Sequence, residues 1–188
     1  MGIDPAKSLG WALFDTDRGP SAIECDSIAL GPPAAPGFDV VKEVRRQLPK
    51  LIRRLAPDFV AIEAPLEVAP RFEKKPAKSH GMLPSNEQDR PPETTINTKT
   101  IALLNRISGA VSLVVMGQNI PCCEVRAQTW QTILPRNVPG DTKKRAKAYC
   151  DMLRISQATN IDKRDAALIA IWAAGHASEL KMLERARA

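Results

Sequence analysis

The chain has 188 residues, 44% of them hydrophobic and 26% charged, a composition that excludes global disorder and suits one domain burying about 70% of its unfolded surface. Its 27 lysines and arginines outnumber 21 acids for a net charge of +6, which favours a polyanionic partner such as nucleic acid. No stretch approaches about 18 uncharged apolar residues and the N-terminus lacks the basic-then-apolar layout of a signal peptide, so a soluble cytoplasmic protein without membrane contact is expected.

The predicted elements begin with three short strands. The first covers Gly2 to Pro5, the second Gly10 to Asp15 and the third Ala22 to Leu30. The turn signature Asp17-Arg18-Gly19-Pro20 joins the last two into a hairpin. Glycines and prolines from Gly31 to Gly37 make a loop. From Phe38 to Leu55, Val40, Val41, Val44, Leu48, Leu51, Ile52 and Leu55 recur at helical spacing with Lys and Arg between them. Asp58 to Glu63 reads DFVAIE, the nearly continuous apolar run of a strand buried on both faces.

Leu66 to Ile96 is rich in proline and charge and almost free of apolar periodicity. So long a stretch without elements inside one domain reads as a functional loop. Asn97 then caps a helix predicted to run to about Gly117, followed by a strand over Ile120 to Arg126. Short helices come next at Gln128 to Leu134 and Thr142 to Leu153, the second capped by Asp141, and a final helix starts near Ile161. Three strands followed by alternating helices and strands imply an α/β fold: a five-stranded mixed sheet, antiparallel in its first three strands, with helices on both faces.

The cysteines exclude two chemistries. Cys25, Cys122, Cys123 and Cys150 form no CxxC pair, and His80 and His176 lie far apart in sequence. Neither a zinc site nor a disulfide framework is indicated, and reduced, mostly buried thiols are expected.

Four acids stand beside apolar runs. Asp4 lies in the first strand, Glu63 ends the fourth, and Asp162 and Asp165 open the last helix in NIDKRDAALIAIWAA. Individually, Asp4 before Pro5 could form a turn, Glu63 could be a solvated strand end, and the helical pair could serve the helix terminus. Residues three apart share a helical face, and strand ends can meet a helix start at one sheet edge. Together, four carboxylates repel unless cations sit among them. Hard oxygen donors without histidine or thiolate suit Mg²⁺ or Mn²⁺.

In this order, GIDPAKSLGWALFD, DFVAIEAP, NTKTIALLNRISGAVSLVV, IPCCEVRAQTWQTIL and DKRDAALIAIWAAGHA resemble the RuvC-type Holliday junction resolvases of the RNase H-like superfamily. The resemblance runs nearly end to end. It implies a single RNase H-like nuclease domain over residues 1–188 with a long polar loop at about 66–96. It further implies a homodimer that cuts four-way DNA junctions by paired symmetric nicks in recombination, repair or phage DNA processing. Asp4, Glu63, Asp162 and Asp165 would be the catalytic carboxylates holding two Mg²⁺ or Mn²⁺ ions. The helix from Asn97 to Gly117, with its stripe of Ile101, Leu104, Ile107, Ser108, Val111 and Val115, would form part of the dimer interface.

Several positions depart from the family pattern. Ala6 replaces a glycine after the aspartate-proline pair, Leu66 replaces an aromatic residue, and Trp130 replaces a lysine. Lys143 and Lys144 fill a second basic position. In the long loop, Arg71, Lys74 and Lys75 would meet phosphates while Phe72 takes over stacking on a base; the competing reading is a solvated insertion. Two other functional readings remain at this stage. One is a nuclease of this fold acting on RNA–DNA hybrids, flaps or forks, and the other a non-catalytic junction-binding relative. An actin-like phosphate-loop kinase fits poorly, because it would need a second such domain and a glycine-rich adenosine segment, and the chain has only ten glycines.

Overall fold

The computed structural model describes residues 1–65 and 98–185. Strands β1 (Gly2–Asp4), β2 (Ser8–Leu13), β3 (Glu24–Ala29), β4 (Val60–Glu63) and β5 (Cys122–Val125) form one sheet in the order β3-β2-β1-β4-β5. The pairs β1–β2 and β2–β3 are antiparallel, while β1–β4 and β4–β5 are parallel. This is the expected five-stranded mixed sheet. The second strand begins two residues earlier than expected and ends at Leu13. Asp15 belongs to the turn instead, its Oδ1 accepting from the Asp17 N–H at 3.1 Å.

Among the described residues, five α-helices accompany the sheet: α1 (Gly37–Leu55), α2 (Thr98–Met116), α3 (Ala127–Trp130), α4 (Thr142–Met152) and α5 (Ile161–Arg185). The predicted helix at Gln128 to Leu134 is divided, with α3 passing into a 3₁₀ turn over Gln131–Ile133. Asp141 caps α4 as expected, Oδ1 accepting from the Lys144 N–H at 2.9 Å. The proposed cap at Asn97 lies outside the described residues. None of the four cysteines is in a disulfide; Cys25 and Cys150 are buried, and Cys122 and Cys123 are partly covered.

Alternation along the strands sorts side chains to two faces. Ile3, Leu9, Trp11, Val60 and Ile62 point to one face, where they pack with Val40, Val44, Leu48 and Ile52 of α1 and Ile107, Val111 and Val115 of α2. Ala12, Cys25, Ala61 and Val125 point to the other, where Ala166, Ala167, Ile169, Ala170 and Ala173 of α5 cover them. Four of the six residues of the predicted α2 stripe, Ile107, Ser108, Val111 and Val115, are therefore core, while off the stripe Leu113 and Met116 remain 70% and 53% exposed. By length and composition α2 is apolar enough to cross a membrane, but it carries Lys99 and Arg106 and packs on α1.

α5 lies unusually close to the sheet, and the sequence permits it at two glycines. A Cβ on Gly2 would overlap the Ala166 carbonyl oxygen and lie 2.5 Å from the Ala170 nitrogen. A Cβ on Gly10 would overlap the Asp162 carbonyl oxygen. Alanines at 166, 167, 170 and 173 complete the fit from the helix side. Glycine within a strand marks such close backbone approach. Because the obstructing atoms at Gly2 are helix backbone, relief by side-chain rotation is impossible. Gly2→Ala is expected to cost about 3 kcal/mol, the upper end for overpacking, and lower the melting temperature by about 6–12 °C. Thermal unfolding followed by circular dichroism measures this, and an unchanged midpoint would mean that the helix does not rest on the strand.

Candidate active site at the carboxyl edge of the sheet

Register places the strand acids side by side. In the parallel pair, Gly2 is opposite Ala61 and Ile3 opposite Ile62, so the next residues, Asp4 and Glu63, end their strands level with each other. Asp4 shares the parity of Gly2, and Glu63 that of Ala61. Both side chains therefore project to the face covered by α5. Across the antiparallel pair Asp4 is opposite Gly10, the residue over which the Asp162 backbone rests. One helical turn carries Asp165 to the same face as Asp162. The four predicted acids thus meet at one edge, and each is half-buried.

Three contacts hold the start of α5 in place. The Asn160 Oδ1 accepts from the Lys163 N–H at 2.9 Å, capping the helix. The Arg164 guanidinium donates to the carbonyls of Ala158 and Thr159 at 3.0 and 2.9 Å. Lys163 Nζ pairs with Asp26 of β3 at 2.8 Å. The sequence reading missed all three, although an asparagine three residues before Lys163 is a readable capping signal.

Burial and mutual repulsion raise three of the acids. Asp4 is pushed up to about 8, mainly by burial and then by Glu63, Asp165 and Asp162. Glu63 rises to about 7 through burial and Asp165. Asp165 rises to about 6 through burial and Asp162, with Lys143 and Arg164 opposing. Such perturbation of several neighbouring carboxylates is characteristic of functional sites.

Trp130 was singled out in the sequence only as a departure, and its place in the structure is informative. It is 1% exposed, and its indole N–H lies close enough to Glu63 to pull that acid's pKa back down. The same N–H forms no complete hydrogen bond with any group. The pair is a close approach and not a formed bond. Ala6 is innocuous: its N–H reaches the Asp4 carbonyl at 3.0 Å, and its backbone is not left-handed, so no glycine is required there.

No protein-family profile matches the chain, and no curated protein sequence does. Solved structures do match. Thermus thermophilus RuvC in complex with Holliday junction substrate has a TM-score of 0.61 at 15% identity, covering 95% of this chain and 93% of that one. Thermus thermophilus RuvC alone has a TM-score of 0.55 at 16% identity, covering 95% and 94%. The fold is RNase H-like. At these identities the likeness is one of architecture.

The donor set fits hard divalent cations by type, four carboxylates with neither imidazole nor thiolate among them. Among the described residues, however, no three acidic, histidine or cysteine side chains converge closely enough to hold one ion. Carboxylates that repel one another splay apart, and a cation draws them together. Lys143 and Lys144 are exposed at the start of α4, with Lys143 near enough to act on Asp165. Arg71, Phe72, Lys74 and Lys75 lie outside the described residues.

The raised pKa values make a stability prediction for the metal-free protein. Below about pH 4 both folded and unfolded states hold these protons, so nothing is lost. Between pH 4 and 8 the unfolded chain releases them first, and stability falls as pH rises through the folded values of about 6, 7 and 8. The buried Met1 ammonium, pushed down to about 6, acts in the opposite sense between pH 6 and 8. Asp4→Asn isolates the carboxylate share. Its denaturation midpoint in the presence of chelator should rise relative to wild type between pH 5 and 8.5; a difference that stays constant with pH would count against the buried, repelling set.

Proposed function

We propose that this protein is a metal-dependent, structure-selective DNA endonuclease that resolves four-way junctions by paired symmetric nicks. The observation that carries the reading is the meeting of Asp4, Glu63, Asp162 and Asp165 at one sheet edge, three of them raised by burial and mutual repulsion. Its fold-level likeness to a RuvC whose structure holds a Holliday junction substrate supports DNA as the polyanion. Away from these four, 27 basic residues face 17 acids, a surplus suited to phosphate binding.

Asp4, Glu63, Asp162 and Asp165 would hold two Mg²⁺ or Mn²⁺ ions. Such a pair supplies activation of the attacking water and stabilisation of the leaving oxygen in phosphodiester hydrolysis. The protein's part is to fix the donors: β1 and β4 hold two of them level, and the glycine-seated start of α5 lowers the other two onto them. Lys143 and Lys144 bind phosphates beside the site. Arg71, Lys74 and Lys75 add phosphate contacts from the long loop, and Phe72 stacks on an unpaired base at the junction centre.

Asp4→Asn, Glu63→Gln and Asp165→Asn should each lower junction cleavage by orders of magnitude and leave junction binding equal or tighter. Removing one carboxylate disables the donor set and reduces repulsion of the DNA backbone. Cleavage and gel-shift assays on a synthetic four-way junction with Mg²⁺ measure both. One of these variants cutting at the wild-type rate would refute the site.

One observation favours a second reading. Trp130 stands where the related nucleases usually carry lysine, and it is buried, so that position gives no phosphate contact. A substrate other than the junction would follow if an RNA–DNA hybrid, a flap or a fork were cut faster in parallel assays.

Homodimerisation belongs to the same proposal. The buried part of the α2 stripe is committed to the core, which leaves Leu113 and Met116 as the exposed large apolar residues of that helix. Buried between two copies, they would leave water together. Leu113→Asp with Met116→Lys should convert a dimer at micromolar concentration to a folded monomer in sedimentation velocity and abolish paired, though not single, nicking. A wild-type monomer that still cuts symmetrically would sink the assignment.

A further inference from the structure

Among the described residues, Trp130 is a buried side chain whose polar atom its surroundings do not satisfy. Indole nitrogen is a donor only, and leaving such a donor unpaired in a core has a cost. Trp130 is 1% exposed, and its Nε1 has no hydrogen-bond partner. Buried polar groups left unpaired in this way are few: among the described residues, only Ser108 Oγ and Arg145 Nε share the condition. The ring is embedded among apolar residues of the α5-covered core, and Glu63 is the polar group near its N–H.

The placement follows from chain order. β5 pairs with β4, with Val125 opposite Glu63, and the chain enters α3 directly afterwards. The Ala64 N–H donates to the Val125 carbonyl at 2.8 Å, so the end of β4 and the segment leading into α3 are bonded together. Trp130, at the end of α3, is thereby brought back beside the residue that terminates β4. Phenylalanine or leucine would fill the same apolar space without a donor.

We propose that Trp130 is a positioning residue for Glu63: its indole N–H completes a hydrogen bond to the Glu63 carboxylate when a divalent cation draws the acids together, fixing which oxygen faces the ion. This rests on the metal-dependent reading given above. A ligating carboxylate held by an outer hydrogen bond binds its ion more tightly, and losing the outer partner typically lowers metal affinity 10- to 100-fold. The donor that is unpaired in the metal-free protein is then the one that the metal-bound state uses.

Trp130→Phe keeps most of the ring volume and removes the donor. Calorimetric titration with Mg²⁺ alone, without DNA, should give a dissociation constant raised about 10- to 100-fold over wild type. The melting temperature of the chelator-treated variant should be equal or higher, because an unpaired donor has been removed. In ¹⁵N-labelled wild type, the Trp130 indole resonance (the one missing from Trp130→Phe) should move downfield as Mg²⁺ saturates, and should not move so in Glu63→Gln. If Trp130→Phe fails to fold, the chain's three tryptophans still allow the test: Trp11→Phe and Trp172→Phe assign the resonance by elimination. Wild-type Mg²⁺ binding with equal affinity in Trp130→Phe, or with an unmoved indole resonance, would overturn the positioning role alone. No Mg²⁺ binding by wild type would overturn the metal reading, and this role with it.

Discussion

The fit of a helix backbone directly onto two strands is the constraint from which the rest of the structure follows. Gly2 and Gly10 have no side chain on the face that α5 covers, and the obstructing atoms there are main-chain atoms of Ala166, Ala170 and Asp162. Side chains of ordinary size at either position would hold the helix off the sheet. The alanines of α5 answer those glycines and give the core on this side its small-residue character. The other face is built from larger residues, with Ile3, Leu9, Trp11, Val60 and Ile62 against two amphipathic helices. The asymmetry positions the acids. Only the close-packed face brings a helix start down to the strand ends where the acids lie.

That arrangement is electrostatically expensive, so its local supports matter. Burial and mutual repulsion raise Asp4, Glu63 and Asp165 together. The α5 N-terminus offsets part of this, because unpaired helical N–H groups favour negative charge. Lys163 and Arg164, which stand between Asp162 and Asp165 in the chain, bond to Asp26 and to the carbonyls of Ala158 and Thr159. They secure the first turn, and Arg164 also offsets part of the rise at Asp165.

Much of this was legible in the sequence because it depends on local pattern. Helical periodicity placed α1 to within one residue, Asp141 announced the start of α4, and the run ending in Glu63 read correctly as a strand buried on both faces. The acids stood out because their neighbours were apolar. What was not legible depends on three-dimensional neighbours. Nothing adjacent to Gly2 or Gly10 in the chain says that a helix more than 150 residues later lies against them. The α2 stripe has one periodicity, but that pattern cannot set depth along it: Ile107, Val111 and Val115 are buried, whereas Ile101 and Leu104 are only partly covered. The β2 boundary was misplaced because Asp15 looks equally suited to a strand end and a turn, and only its bond to the Asp17 N–H decides.

The departures at Ala6 and Trp130 look alike in sequence and differ physically. At Ala6 the backbone adopts no left-handed conformation, so exchanging glycine for alanine changes little beyond a methyl group. The resemblance sets a lysine where Trp130 stands; the position here holds a rigid, buried donor without charge. The local positive charge must then come from elsewhere on the surface, and Lys143 is suitably placed because it already acts on Asp165. Position 130 can therefore exchange charge for packing while the carboxylate edge stays intact.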